Sequence, residues 1–152
     1  MGIRLLEIPQ INRVKYLDFL LMADEIPEIV NEYINDGDLF AIVQDNQEIG
    51  VVQFVFEDAV SVELKNIAIT DEYRGKGFGK YAIQLALNQY RNKGYQKMVV
   101  GTANSSITNI LIYQKLGFRL VGIRKDFFLN YPEPIFENGI RAIDMIIFEK
   151  EL

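Results

Sequence analysis

The sequence predicts a single mixed α/β domain, residues 1–152, in which helices flank a mostly antiparallel central sheet in the order βααβββαβαββ. Three observations carry that expectation. Apolar residues alternate with period two in most segments and recur at helical spacing in four others. Three β-rich runs in the first half are separated only by short turn signals, as in a meander. In the second half strands alternate with helices, and strand–helix–strand units demand at least one parallel pairing.

Taken in order, residues 3 to 8 alternate as a strand, and Pro9 then suits a helix start. Ile11, Val14, Leu17, Leu20 and Leu21 follow at helical spacing, and a second short helix covers Glu25 to Asn35, closing at Asp36-Gly37. The meander comprises Leu39 to Gln44, Ile49 to Glu57 and Val60 to Thr70, divided by Asp45-Asn46 and Glu57-Asp58. A polar, glycine-rich stretch from Asp71 leads into a helix through Tyr81, Ile83, Leu85, Ala86 and Tyr90, which Gly94 stops. Gln96 to Gly101 reads as a buried strand, and Ser105 to Leu116 as a helix whose left-handed stop is Gly117, followed by apolar Phe118. Strands over Phe118 to Phe128 and Ile140 to Glu149 flank the loop LNYPEPIFENG.

Composition removes several chemistries. With no cysteine and no histidine, disulfides, the usual zinc sites, thiol nucleophiles and Ser-His-Asp triads are excluded, and no metal is expected. A net charge of -5 disfavours nucleic acid as a partner and fits a small cationic substrate better. The opening MGIRLLEIPQ lacks the pattern of a signal peptide, and no apolar run reaches the ~20 residues of a membrane span. A cytoplasmic protein without membrane contact is the expectation.

The sequence NIAITDEYRGKGFGKYAIQLAL puts a strand, a polar loop and a helix in succession, with Gly75, Gly77 and Gly79 at the junction. Glycines let backbone N–H groups approach a ligand closely, and the helix start adds unpaired N–H groups and the positive dipole end. Arg74, Lys76 and Lys80 surround what is then an anion site, in which Arg74 and Lys76 would add charge-assisted contacts to a phosphate. Gly77 to Ala82 satisfies the dinucleotide pattern GxGxxA, but Asp71 to Lys76 intervenes after the strand and the next strand ends in Gly101-Thr102 without the acidic residue. The triphosphatase loop requires GKS or GKT, where this chain has GKY.

Arg74, Gly77 and Gly79 match the most diagnostic motif of the GNAT superfamily of N-acetyltransferases: Arg or Gln, two residues, Gly, one residue, Gly or Ala. The sequence resembles that superfamily from about residue 50 to 125, including VELKNIAI, KMVVGTA and LIYQKLGFRLVG. The resemblance implies an enzyme that moves an acetyl group from acetyl-CoA to a primary amine, by direct attack in a ternary complex. It gives the coenzyme pyrophosphate to the N–H groups of Arg74, Gly75, Lys76, Gly77, Phe78, Gly79 and Lys80, and the pantetheine arm to Ile67, Ala68 and Ile69, where the strand would open from its neighbour. Tyr113, in Y-x-x-x-G-F, would protonate the departing thiolate. Where the family often has an asparagine the chain offers Ser106, with Asn104 and Asn109 nearby.

An alkylammonium with a pKa near ~10.4 costs about 4.6 kcal/mol to deprotonate at pH 7, so a base or a water relay is useful. Glu63 is the candidate base, or else an exposed strand residue paired with Lys65; Tyr113 is the proton donor, or else a packed aromatic. The segment Asp126 to Gly139 sets Asp126, Tyr131, Glu133 and Glu137 among aromatic residues and prolines, which suits a cationic amine acceptor. Two other classes remain: a regulatory module that binds CoA without turnover, and an interaction domain whose glycine turn holds nothing. A homodimer through the C-terminal strands is a further expectation.

Overall fold

The structure is a computed structural model and describes residues 2–152. Strands β1 (Ile3–Glu7), β2 (Asp38–Gln44), β3 (Gln47–Phe56), β4 (Ser61–Ile69), β5 (Lys97–Ala103), β6 (Arg119–Arg124) and β9 (Met145–Glu151) form one sheet in the order β1-β2-β3-β4-β5-β9-β6. Every neighbouring pair is antiparallel except β4 with β5. Helices α1 (Leu17–Ala23) and α2 (Pro27–Tyr33) cover one face, and α3 (Phe78–Asn92) and α4 (Ile107–Lys115) the other. Alternation along β2 shows why: Leu39, Ala41 and Val43 pack with α1 and α2, while Phe40 and Ile42 pack beneath α3.

Two helix ends position the later chemistry. α3 buries Phe78, Ala82, Ile83, Ala86, Leu87 and Tyr90 at helical spacing and stops at Gly94, with φ +95° and Tyr95 N–H donating to the Tyr90 carbonyl at 3.1 Å. α4 ends alike at Gly117, φ +92°, with Phe118 N–H on the Tyr113 carbonyl at 2.9 Å and the Phe118 ring 5.7 Å from that of Tyr113. The cap therefore fixes Tyr113 by backbone and ring together.

Three expectations need correction. Residues Gln10–Tyr16 form a 3-10 helix ahead of α1, with Ile11 and Val14 exposed and Arg13 buried at 4% exposure. The guanidinium decides this, since Nε donates to the Ile8 carbonyl at 3.2 Å, Nη1 to those of Ile34 at 3.1 Å and Asp36 at 2.9 Å, and Nη2 to that of Gly37 at 2.8 Å. The expected strand to Phe128 ends at Arg124, because Asp126 sits in a left-handed turn with φ +62°. The expected strand over Ile140 to Glu149 is broken at 142–144 into β8 (Ile140–Arg141), which pairs with β7 (Phe136–Glu137), and β9. The Asn104 side chain takes the N–H groups of Ile143 at 2.8 Å and Asp144 at 3.1 Å, removing both from any ladder.

Candidate active site

The parallel pairing of β4 with β5 runs from Ser61↔Lys97 to Leu64↔Val100 and stops, although both strands continue. Beyond it Ile67, Ala68 and Ile69 pair only with β3, while Gly101, Thr102 and Ala103 pair only with β9. A bulge explains the parting. Gln53 pairs with Asn66 and Phe54 with Leu64, so Lys65 is an extra residue that bends β4 where its contact with β5 ends. The free backbone edges face each other across a slot.

The glycine turn closes one end of that slot. Gly75 and Gly77 have φ of +73° and +85°, conformations that side-chain-bearing residues rarely adopt. α3 starts at Phe78 with no side-chain cap, leaving its first N–H groups without an internal partner. A Cβ built on Gly79 would lie 3.8 Å from both the Ile67 and Ile69 side chains, which sets the helix start over the free half of β4. That contact is ordinary and Gly79 is helical, so nothing among the described residues requires glycine there. Arg74 is turned inward: Nε donates to the Ile69 carbonyl at 2.8 Å and Nη1 pairs with Asp71 at 2.6 Å. Lys76 lies over the Tyr73 ring at 5.6 Å. Arg74 thus fastens the turn to β4 while its side chain stays half-exposed.

Tyr113 is buried under Phe118 and Phe148, and its hydroxyl makes no hydrogen bond among the described residues. Burial raises its pKa, so the phenol stays protonated and able to donate. Glu63 lies on the opposite face, since its neighbours Val62 and Leu64 belong to the core beneath α3. Its carboxyl is half-buried without a hydrogen-bond partner among the described residues; burial and then the charge of Glu57 raise its pKa, with Lys65 and Arg124 acting the other way. Because the folded pKa lies above the unfolded one, Glu63 favours folding below the unfolded value, and this is lost as pH rises through the folded value. Glu63→Gln is therefore expected to raise Tm at pH 7, with the gain fading toward about pH 4 in parallel thermal scans.

The three candidates near α4 separate. Asn104 spends its amide on the backbone of 141–144, and Ser106 donates its hydroxyl to Glu137 at 2.8 Å. Asn109 lies beside Thr102 on the free half of β5, with a long 3.4 Å contact from its amide. Glu137 also accepts from Ser105 at 3.2 Å, so its carboxylate is held by the chain instead of facing an acceptor as expected. Asp126 is exposed and gives its N–H to Asp144 at 2.8 Å; Glu133 is exposed. Tyr131 is half-buried with its pKa raised by burial and then by the charge of Asp24, which sets this loop beside the α1–α2 connection.

That connection carries a group the sequence did not single out. Tyr33 donates to Asp24 Oδ2 at 3.0 Å, and Asn66 Nδ2 donates to the Tyr33 hydroxyl at 2.9 Å and the Leu20 carbonyl at 3.0 Å. Lys65 Nζ stands 5.0 Å from the Tyr33 ring. Tyr33, Asp36, Val55, Phe56 and Lys65 line a cleft of about 490 Å³, and Val55 is the cross-strand neighbour of Glu63. In the sequence Asp24 reads only as a helix-start signal ahead of Pro27.

The sequence profile of the Acetyltransferase (GNAT) family matches residues 8–118. The chain belongs to the GNAT acetyltransferase family. It is 39% identical over 130 residues to YvbK, an uncharacterized N-acetyltransferase of Bacillus subtilis, covering 85% of this chain and 84% of that one. Among solved structures, a GNAT family acetyltransferase from Elizabethkingia anophelis with acetyl-CoA bound superposes with a TM-score of 0.92 at 38% identity, covering 99% of both chains. A Bacillus subtilis acetyltransferase in complex with CoA superposes with a TM-score of 0.88 at 36% identity, over 99% of this chain and 97% of that one. As in other GNAT proteins the sheet is mixed and mostly antiparallel. Among the described residues no group could hold a metal ion, and no helix is long and apolar enough to cross a membrane.

Proposed function

We propose that this GNAT enzyme, working as one domain, transfers the acetyl group of acetyl-CoA to a primary amine by direct attack in a ternary complex. One observation carries the reading. Tyr113 and Glu63 lie on opposite faces of the sheet, and β4 and β5 part just beyond Glu63. An acid and a base on opposite faces can serve one reaction only through an opening, and the slot is that opening.

The residues fit the coenzyme. The N–H groups from Gly75 to Lys80 offer an anion site over the slot, and the open approach at Gly79 leaves room for a pyrophosphate. The free edges of β4 and β5 suit an extended arm carrying amides, which would pair as an added strand does. Asn109 is the side chain still available to it from α4. Acetyl-CoA supplies an activated acyl thioester. Tyr113 gives a proton to the leaving sulfur, Glu63 takes one from the amine directly or through water, and the Ile69 N–H polarises the carbonyl. The acceptor enters by the cleft beside Glu63, where Asp36, Tyr33 and Phe56 offer a carboxylate and rings that suit a cationic amine.

The deciding experiment is a thiol-release assay with acetyl-CoA against a panel of polyamines, amino acids, aminoglycosides and peptide N-termini. Turnover on at least one amine is expected. Binding of acetyl-CoA without turnover on any amine would leave a regulatory module instead. On the accepted amine, Tyr113→Phe should lower kcat by roughly ten- to a hundredfold with little change in KM for acetyl-CoA. Stability should hold, because the hydroxyl it removes has no hydrogen-bond partner among the described residues. A wild-type kcat would return Tyr113 to a purely packing role.

A further inference from the structure

On the proposed reading the acceptor passes the segment 126–144, whose internal ties are the Ala142 N–H on the Ile135 carbonyl at 2.7 Å, the Phe128 N–H on the Ile143 carbonyl at 2.9 Å and the cluster of Phe127, Phe128 and Tyr131 rings. Its β7–β8 hairpin has two residue pairs, Phe136 is 64% exposed, and Ala142 is its one deeply buried hydrophobic side chain. An isolated two-stranded hairpin is marginal in water. What fastens it is a tripeptide at the end of the free half of β5. Asn104 Nδ2 donates to the Arg141 carbonyl at 3.1 Å, while Asn104 Oδ1 accepts from Ile143 and Asp144 N–H. Ser105 and Ser106 both donate their hydroxyls to Glu137 Oε1, and Asn138 Nδ2 donates to the Ser105 carbonyl at 3.0 Å. Asp144 then accepts the Asp126 N–H, so the bonds run from β5 to the start of the segment.

We propose that Asn104, Ser105 and Ser106 are positioning residues that couple the two substrates: a coenzyme arm paired to the free edge of β5 stiffens this tripeptide, which in turn orders residues 126–144 to receive the amine. The inference rests on the reading that the arm lies between β4 and β5. Without it, Gly101, Thr102 and Ala103 have a strand on one side only, and the tripeptide extends from that half-supported end. Filling the slot removes motion at the root of the clamp, so the ordering cost of the acceptor side falls before the amine arrives. Linkage makes the effect mutual: loosening the clamp must weaken coenzyme binding by the same factor that the coenzyme strengthens the clamp.

Hydrogen exchange read by mass spectrometry, with and without acetyl-CoA, tests this with no acceptor present. In the wild-type chain acetyl-CoA should slow exchange both at 74–81 and at 126–144, the latter by about fivefold or more, the lower end of ordinary coupling between sites. In Asn104→Ala, which removes three side-chain bonds and no strand, 126–144 should exchange faster and lose its response while 74–81 keeps its own. Glu137→Gln retains an oxygen for both serine hydroxyls and should keep the response; Glu137→Ala, at an exposed site, should lose much of it even if Asn104→Ala fails to fold. Protection at 74–81 with none at 126–144 overturns the coupling and leaves the coenzyme reading standing. An undiminished response in both alanine variants overturns it as well. No protection at either stretch removes the coenzyme reading and the coupling together.

Discussion

Gly79→Asp is expected to give a folded protein whose affinity for acetyl-CoA has fallen by more than about a hundredfold. Gly79 lies in the first turn of α3 with ordinary contact distances to Ile67 and Ile69, so a side chain costs the fold little. A carboxylate in the first turn even favours the helix dipole. On the proposed reading the same carboxylate stands where the pyrophosphate binds, and two anions about 4 Å apart repel by roughly 4 kcal/mol near a protein surface, before any steric cost. That corresponds to nearly three decades in Kd. Gly77→Asp is the weaker test, because φ at Gly77 is +85° and any side chain there strains the turn itself. Calorimetry with acetyl-CoA, beside a thermal scan of the free variant, separates the two effects: unchanged affinity in a folded Gly79→Asp protein would remove the pyrophosphate assignment.

Arg13→Met is expected to have the largest effect on stability. Methionine fills much of the same volume but donates nothing, and four carbonyls lose a charged donor: those of Ile8, Ile34, Asp36 and Gly37. Gln53 Nε2 still serves Ile34 and Asp36, at 3.2 and 3.0 Å, so Ile8 and Gly37 are the carbonyls left bare. One buried and one half-buried acceptor left unsatisfied, with weaker service of two more, amount to about 3 kcal/mol. For a chain of this size that is a fall in Tm of roughly 6–12 °C. A fall of under about 2 °C would mean that water replaces the guanidinium at little cost. The loss should reach activity too, since these carbonyls close α2 and hold Tyr33 beside the cleft.

Local rules made much of this legible. The glycines of the turn, the caps at Gly94 and Gly117 and the strand–helix junctions depend on residues a few positions apart, and these stand where the sequence puts them. The opening of β4 from β5 at Ile67 to Ile69 follows from the family resemblance; composition alone does not reveal the bulge at Lys65 that produces it. Contacts between distant residues were hidden. Asn66 reaches Leu20 across 46 positions and Asn104 reaches Asp144 across 40, and no periodicity encodes either. Arg13 reversed the pattern around it, because an apolar spacing with one arginine reads as a helix face while five N–H donors can outweigh two apolar side chains. Glu137 misled for a related reason: a carboxylate in a loop resembles a substrate contact until its own chain supplies the donors.

On the proposed reading the last rung of the parallel ladder, Leu64 against Val100, would act as a depth gauge. On the proposed reading the coenzyme arm advances along the slot until hydrogen bonding between β4 and β5 bars the way, and the acyl group must fit the distance that remains. Each residue of strand adds about 3.3 Å, roughly the length of an ethyl group, so opening or closing one rung changes the longest acyl chain accepted by about that much. Selectivity for acyl length would then follow from the register of two strands and the placement of one bulge. A substitution that unpairs Leu64 from Val100 would lengthen the permitted chain while leaving every side chain around the reacting carbonyl as it was.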